Sequence, residues 1–114
     1  MSNKLKGKYG EDVAVDFLRK RGFEILERNF RYSKYSEIDI VAKKDKIVYF
    51  IEVKYRTNSF FGMPLESITK SKLEKIKKGV SYYISKHQGE FCSYRISALS
   101  IFGEKIDFLE SILF

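Results

Sequence analysis

A chain of 114 residues that is 44% hydrophobic and 16% aromatic has enough apolar surface to fold as one domain without metals or disulfides, and too much to stay disordered. Its 22 Lys and Arg against 15 Asp and Glu leave a net charge of +7, which points to a polyanionic partner. The lone cysteine, Cys92, excludes an internal disulfide and suits a cytoplasmic location; residues 1–8 are lysine-rich with no apolar run behind them, so neither a signal peptide nor a membrane span is expected.

A helix is predicted over residues 4–21, where Val13, Ala14, Phe17 and Leu18 recur as one stripe. Gly22 follows as its C-terminal cap. Gly7 and Gly10 lack a preceding strand and fit neither the dinucleotide nor the Walker spacing, so they read as close packing. A strand is expected over 23–30. Residues 35–42 alternate, with Glu37, Asp39 and Val41 to one side and Ile38, Ile40 and Ala42 to the other. The polar turn Lys43-Lys44-Asp45-Lys46 leads into a strand over 47–56. There Val48, Phe50, Glu52 and Lys54 share one face, and Ile47, Tyr49, Ile51, Val53 and Tyr55 the other. So short a turn makes the two strands an antiparallel hairpin.

Residues 57–64 read as a loop holding Phe60, Phe61, Gly62 and the only proline, Pro64. The adjacent phenylalanines suit base stacking or a dimer contact equally. A long helix then runs from 67 or 71 to 87. Ser71 caps it in a Ser71-Lys72-Leu73-Glu74 box, unless Ser67 or Thr69 caps an earlier start. Its apolar stripe is Leu73, Ile76, Val80, Tyr83 and Ile84, whereas Lys70, Lys72, Lys75, Lys77, Lys78 and Lys86 face a single acid, Glu74. His87, near the helix end, reads as a cap or dipole partner. Two strands, 94–102 and 105–109, close the chain around Gly103-Glu104. The order of helix, three strands, helix and two strands gives a mixed α/β single domain over residues 1–114, its central sheet flanked by two helices.

Three charged groups fall where a strand should bury them: Asp39, Glu52 and Lys54. Glu52 follows the apolar run 47–51, and a carboxylate there needs a partner or a metal. Two carboxylates across a hairpin repel unless a cation lies between them, and hard oxygen ligands select Mg²⁺ or Mn²⁺. Such an ion activates water and stabilises charge on a phosphodiester. Lys54 lies on the same side as Glu52, placed for a phosphate oxygen or an attacking water. Glu11, early in the first helix, is a candidate further ligand if tertiary structure brings it near. The bland alternative is a set of salt bridges at a sheet end, because Glu-x-Lys alone is common. One histidine and one cysteine exclude a zinc cluster built on those ligands, and no nucleophilic triad is evident.

Gly7-Lys8-Tyr9-Gly10-Glu11, Arg28-Asn29-Phe30-Arg31, Glu37-Ile38-Asp39, Phe50-Ile51-Glu52-Val53-Lys54-Tyr55-Arg56, Gly62-Met63-Pro64 and Lys72 come in the order and approximate spacing of the YraN-type family. This family is uncharacterised, bacterial and endonuclease-like. The resemblance covers nearly the whole chain. It implies a restriction-endonuclease-like α/β fold of the PD-(D/E)xK superfamily, similar to archaeal Holliday junction resolvases. By position it implies that Asp39, Glu52 and Glu11 build a divalent-metal site, that Val53 adds its carbonyl, and that Lys54 completes the catalytic set. Ser36 departs from the family's usual Gly and Ser97 from its frequent Asp. The expected function is a Mg²⁺- or Mn²⁺-dependent nuclease or a structure-selective DNA-binding protein. Arg31, Lys34, Arg56, Lys70 and Lys72 are the candidate phosphate contacts. The expected partner is nucleic acid, DNA foremost, and a resolvase would need a homodimer to cut both strands. The rival expectations are a non-catalytic DNA-binding module and a basic adaptor for an acidic protein.

Overall fold

The computed structural model describes residues 3–34, 36–56 and 69–112, with the backbone alone for 3–8 and Arg56. It begins with helix α1 (Asn3–Lys20). Gly22, at φ +90°, ends that helix. The N–H of Gly22 bonds Arg19 O and that of Phe23 bonds Leu18 O, both at 3.0 Å, so the orphan carbonyls of the last turn are used. Strands β1 (Glu24–Ser33), β2 (Ser36–Lys44) and β3 (Ile47–Arg56) follow, each antiparallel to the one before. Asp45 and Lys46, at φ 53° and 65°, make the two-residue turn between β2 and β3, whose positive φ values match the twist of a hairpin.

Helix α2 (Lys70–Lys86) carries the chain over the sheet to β4 (Ser93–Phe102). Strand β4 runs parallel to β3 from Ile47↔Ser93 to Arg56↔Phe102, and β5 (Lys105–Leu109) returns antiparallel to it. The sheet is therefore mixed, with its five strands in chain order. This is the expected α/β architecture and is consistent with a restriction-endonuclease-like fold.

The helices cover opposite faces. Ala14, Val15 and Leu18 of α1 pack with Ile40, Ala42, Tyr49, Ile51, Leu99 and Ile101. Ile76, Val80 and Tyr83 of α2 pack with Ile38, Val41, Val48 and Phe50. Leu73 completes that layer against Ala98 and Ile112. Each fully buried aliphatic or aromatic side chain contributes about 1.5–3 kcal/mol, so burial on both faces fixes the register of β3 and β4.

One face assignment needs correction. Strict alternation puts Ile38 beside Ile40 and Ala42, but Ile38 packs in the α2 layer with Val41. The alternation slips at Asp39, whose side chain bonds the neighbouring strand's backbone. The first strand also runs three residues beyond its expected end, to Ser33. Of the caps considered for α2, Thr69 is the one used: its hydroxyl accepts from Lys72 N–H at 3.1 Å. Gly10 shows the expected close packing, since a Cβ there would lie 3.2 Å from Tyr55 Cβ.

Candidate metal and phosphate site

The backbone ladder between β2 and β3 runs from Lys44↔Ile47 to Ile40↔Ile51. One step further the register sets Asp39 opposite Glu52. There a side chain replaces the ladder carbonyl, as Asp39 Oδ2 accepts from Val53 N–H at 2.8 Å. That bond satisfies a buried donor and holds the carboxyl between the strands, beside Glu52.

Glu52 is only 7% exposed. Its neighbours along β3 and across to β4, Phe50 and Ala98, belong to the α2 layer. The first turn of α2 reaches it: Lys72 Nζ lies 2.6 Å from Glu52 Oε1, and Lys54 Nζ 3.8 Å from the same oxygen. The Thr69 cap fixes the turn that carries Lys72.

This crowding shifts the charges. Burial, and after it the charge of Glu52, pushes the Asp39 carboxyl up to about 7, although the Val53 N–H works the other way. Burial lowers Lys54, and the adjacent Lys72 ammonium lowers it further. Lys72 is also penalised by burial, yet its hydrogen bond and charge attraction to Glu52 prevail and raise it.

Glu11 approaches from α1. Burial raises its carboxyl, with Arg28 opposing. Its charge is felt by Asp39, while an Asn29 side-chain hydrogen bond holds it on the β1 side. Glu11 Oε1 is buried without a hydrogen-bond partner, the only such side-chain atom among the described residues.

Asp39, Glu52, Val53 and Lys54 are thus brought together at the point where β2 and β3 part, with Glu11 beside them. Lys72, expected as a phosphate contact, joins the cluster, 2.6 Å from Glu52. Arg31 pairs with Glu37 at 3.0 Å. Lys34 and Lys70 are exposed at strand and helix ends. The Arg56 side chain, Phe60, Phe61, Ser67 and the Gly62-Met63-Pro64 segment lie outside the described residues. Asn29 and Arg28 join the surroundings of Glu11 with no signal in the sequence beyond their place in a motif; Arg28 also bonds Asp12 at 2.6 Å. The departure Ser36 is buried and donates to Lys75 O at 2.7 Å, tying β2 to α2. Ser97 is buried too and donates to Glu110 O.

Residues 10–101, which include every member of this cluster, match the model of uncharacterised protein family UPF0102. The chain belongs to that family. A UPF0102 protein of Dictyoglomus turgidum is 48% identical over 101 residues, covering 89% of this chain and 85% of the relative. One from Campylobacter jejuni is 46% identical over 110 residues, covering 96% and 95%. One from Caldicellulosiruptor saccharolyticus is 39% identical over 102 residues, covering 90% and 86%.

Among the described residues of this UPF0102 chain, no three His, Cys, Asp or Glu side chains converge into a ready metal cage. The donors at hand are all hard oxygens: Asp39, Glu52, the Val53 carbonyl and the unpartnered Glu11 Oε1. That chemistry suits Mg²⁺ or Mn²⁺. No helix among the described residues is long and apolar enough to cross a membrane.

Proposed function

We propose that this protein is an endonuclease-like nucleic-acid-binding protein of the PD-(D/E)xK type, acting in the cytoplasm on DNA with Mg²⁺ or Mn²⁺. The observation that carries the reading is the side-by-side burial of Asp39 and Glu52, which lifts Asp39 to about 7. Two carboxylates forced together at that cost are a common device of functional sites. Asp39, Glu52 and the Val53 carbonyl would hold the ion, with Glu11 adding an oxygen from α1. When bound, such an ion supplies a Lewis acid for a phosphodiester under attack. Lys54 orients a phosphate oxygen or the attacking water from the same side. The net charge of +7 draws the polyanion in.

A second reading has its own support. Lys72, 2.6 Å from Glu52, already gives the acids an internal cation, as a non-catalytic DNA-binding module would. Two measurements separate the readings. Mn²⁺ uptake is followed by calorimetry in wild type, Asp39→Asn, Glu52→Gln and Lys54→Ala. Cleavage of linear duplex, single strand and four-way junction is followed with each metal and with EDTA. The nuclease reading expects uptake and cleavage lost in Asp39→Asn and Glu52→Gln, and uptake without turnover in Lys54→Ala. DNA binding with no ion uptake by wild type would leave the module.

A further inference from the structure

We propose that Tyr32 and Tyr82, with the lysines of α2 around them, form a binding surface for unpaired nucleotides adjoining the carboxylate cluster. The proposal rests on the nucleic-acid half of the function above and names the substrate feature that this face would select.

Tyr32 is 43% and Tyr82 37% exposed, although their rings lie only 5.1 Å apart and inclined at 52°. Phe30 supports Tyr82. Its ring lies 6.1 Å from that of Tyr82, and 5.3 Å from Tyr83, which is buried in the core. The two tyrosines are therefore a propped platform, not loose surface side chains. A groove of about 390 Å³ is lined by Tyr32, Tyr82, Lys77 and Lys78, with Ser81 and the acid Glu74. A second, of about 380 Å³, opens beside Tyr32 and is lined also by Ser36, Lys75 and Lys78.

The charge on this face is predominantly positive. Lys75, Lys77, Lys78 and Lys86 are exposed, and Lys86 Nζ lies 5.1 Å from the Tyr82 ring centroid. Against them stands Glu74, only loosely paired with Lys77 at 3.9 Å. Lys75, Lys78, Tyr82 and Lys86 recur at helical spacing and share one stripe. Lys72, on Glu52, lies ten residues before Tyr82 on the same helix. At 1.5 Å per residue that is about 15 Å along the axis, or about four nucleotides at 3.4 Å per stacked nucleotide.

A lysine-lined groove with exposed ring faces is the chemistry that holds single strands: cations follow the phosphates and rings stack on bases, whichever base is present. A duplex keeps its base faces stacked and could use the lysines alone. An acidic peptide would meet the lysines and leave the rings in water. The occupant of this face is thus the unpaired arm of a frayed or branched DNA, with its duplex end toward Asp39 and Glu52.

The test uses the full chain in EDTA, so that neither metal nor cleavage enters. The probes are a blunt duplex and a splayed-arm duplex of equal length carrying 2-aminopurine at successive positions of one arm. Wild type is expected to bind the splayed-arm DNA more tightly and to change 2-aminopurine fluorescence most at one position, about four nucleotides into the arm. Replacing Tyr32→Leu with Tyr82→Leu should weaken splayed-arm binding by about 5- to 150-fold for each stacked base lost, with blunt-duplex binding unchanged. The Tyr32→Phe, Tyr82→Phe pair, which keeps both rings, should restore it. The fluorescence measurement needs only wild type, so it decides even if the leucine variant fails to fold. Equal affinity for both DNAs and no fluorescence change would overturn the proposal while leaving the carboxylate site intact. Binding to a polyglutamate peptide and to neither DNA would overturn both.

Discussion

Replacing Asp39 by asparagine should make the protein more stable at neutral and alkaline pH. In the folded chain burial, and after it Glu52, holds the Asp39 carboxyl at about 7 against the usual 3.8. Below 3.8 both the folded and unfolded chains carry the proton, and the group favours neither. Between 3.8 and 7 the unfolded chain releases it while the folded chain keeps it, so stability falls as pH rises through that window. Above 7 the loss is complete. At about 1.36 kcal/mol per pH unit the burden comes to about 4 kcal/mol, a large part of the 5–15 kcal/mol that holds a domain together. Asparagine carries no charge to desolvate, and its amide oxygen can still accept from Val53 N–H. The assay is urea denaturation in EDTA at several pH values from 4 to 8. The variant's advantage should grow from near zero at pH 4 to about 4 kcal/mol at pH 8. A difference that stays flat across this range would refute the claim that Asp39 is a strained buried acid.

Two further variants probe its neighbours. Lys72→Met keeps the aliphatic stem but leaves Glu52 without its 2.6 Å partner; it should cost about 1–3 kcal/mol in urea denaturation, less than a fully buried pair because Lys72 is 35% exposed, and should tighten Mn²⁺ uptake measured by calorimetry. Gly79→Ala would bring a Cβ to 3.2 Å from Ile38 Cδ1 and 3.3 Å from Ser36 Oγ; overpacking of about 1–3 kcal/mol should outweigh the helix gain of about 1 kcal/mol, so a raised melting temperature would contradict the close approach of α2 to β2.

The elements and their order follow from periodicity because each strand and helix buries one clear face. The α2 stripe of Leu73, Ile76, Val80 and Tyr83 is buried as expected, and the Asp45-Lys46 turn lies where the polar break falls. That Asp39 and Glu52 could be neighbours was legible as a possibility, since they lie on adjacent strands of one hairpin, but the sequence left their register open. What stayed hidden depends on long-range geometry. Alternation assumes an unbroken ladder, so it could not show that Asp39 accepts from Val53 N–H or that Ile38 lies on the other face. The role of Lys72 depends on β3 and β4 being parallel with α2 as the crossover, which lays the first turn of α2 over Glu52. The sequence marks Lys72 as a motif residue and a candidate phosphate contact, but not as a partner of Glu52. The Tyr32–Tyr82 pair joins residues fifty positions apart, and nothing local marks Tyr32 as its partner.

Among the described residues, several polar groups that carry a cost lie close together. Ser36 and Ser97 are buried, and both are bonded. Burial also raises the Tyr49 and Tyr83 hydroxyls elsewhere, but three charged groups are neighbours: Asp39, held near 7, Lys54, lowered by burial and by Lys72, and Glu11, whose Oε1 has no partner. All three gather where β2 and β3 part. Apolar replacements of buried ion pairs are often neutral or stabilising, so stability alone gives no reason to keep these groups there. The proposed binding role would, and it would link two ligands through one side chain. Lys72 is held by Glu52 as the nearer of its two cations, at 2.6 Å against 3.8 Å for Lys54. If a divalent ion were to satisfy Glu52, the ammonium of Lys72 would be released at the head of the lysine stripe that leads to Tyr82. On the proposed function, Mn²⁺ and DNA should therefore each tighten the binding of the other, by the same factor in both directions. Lys72→Met should abolish that coupling while both ligands still bind, since the charge passed from carboxylate to phosphate is gone. Calorimetric Mn²⁺ titrations with and without a DNA that is not cleaved, on wild type and Lys72→Met, measure the factor. Equal coupling in the two proteins would show that Lys72 is only a structural counter-ion.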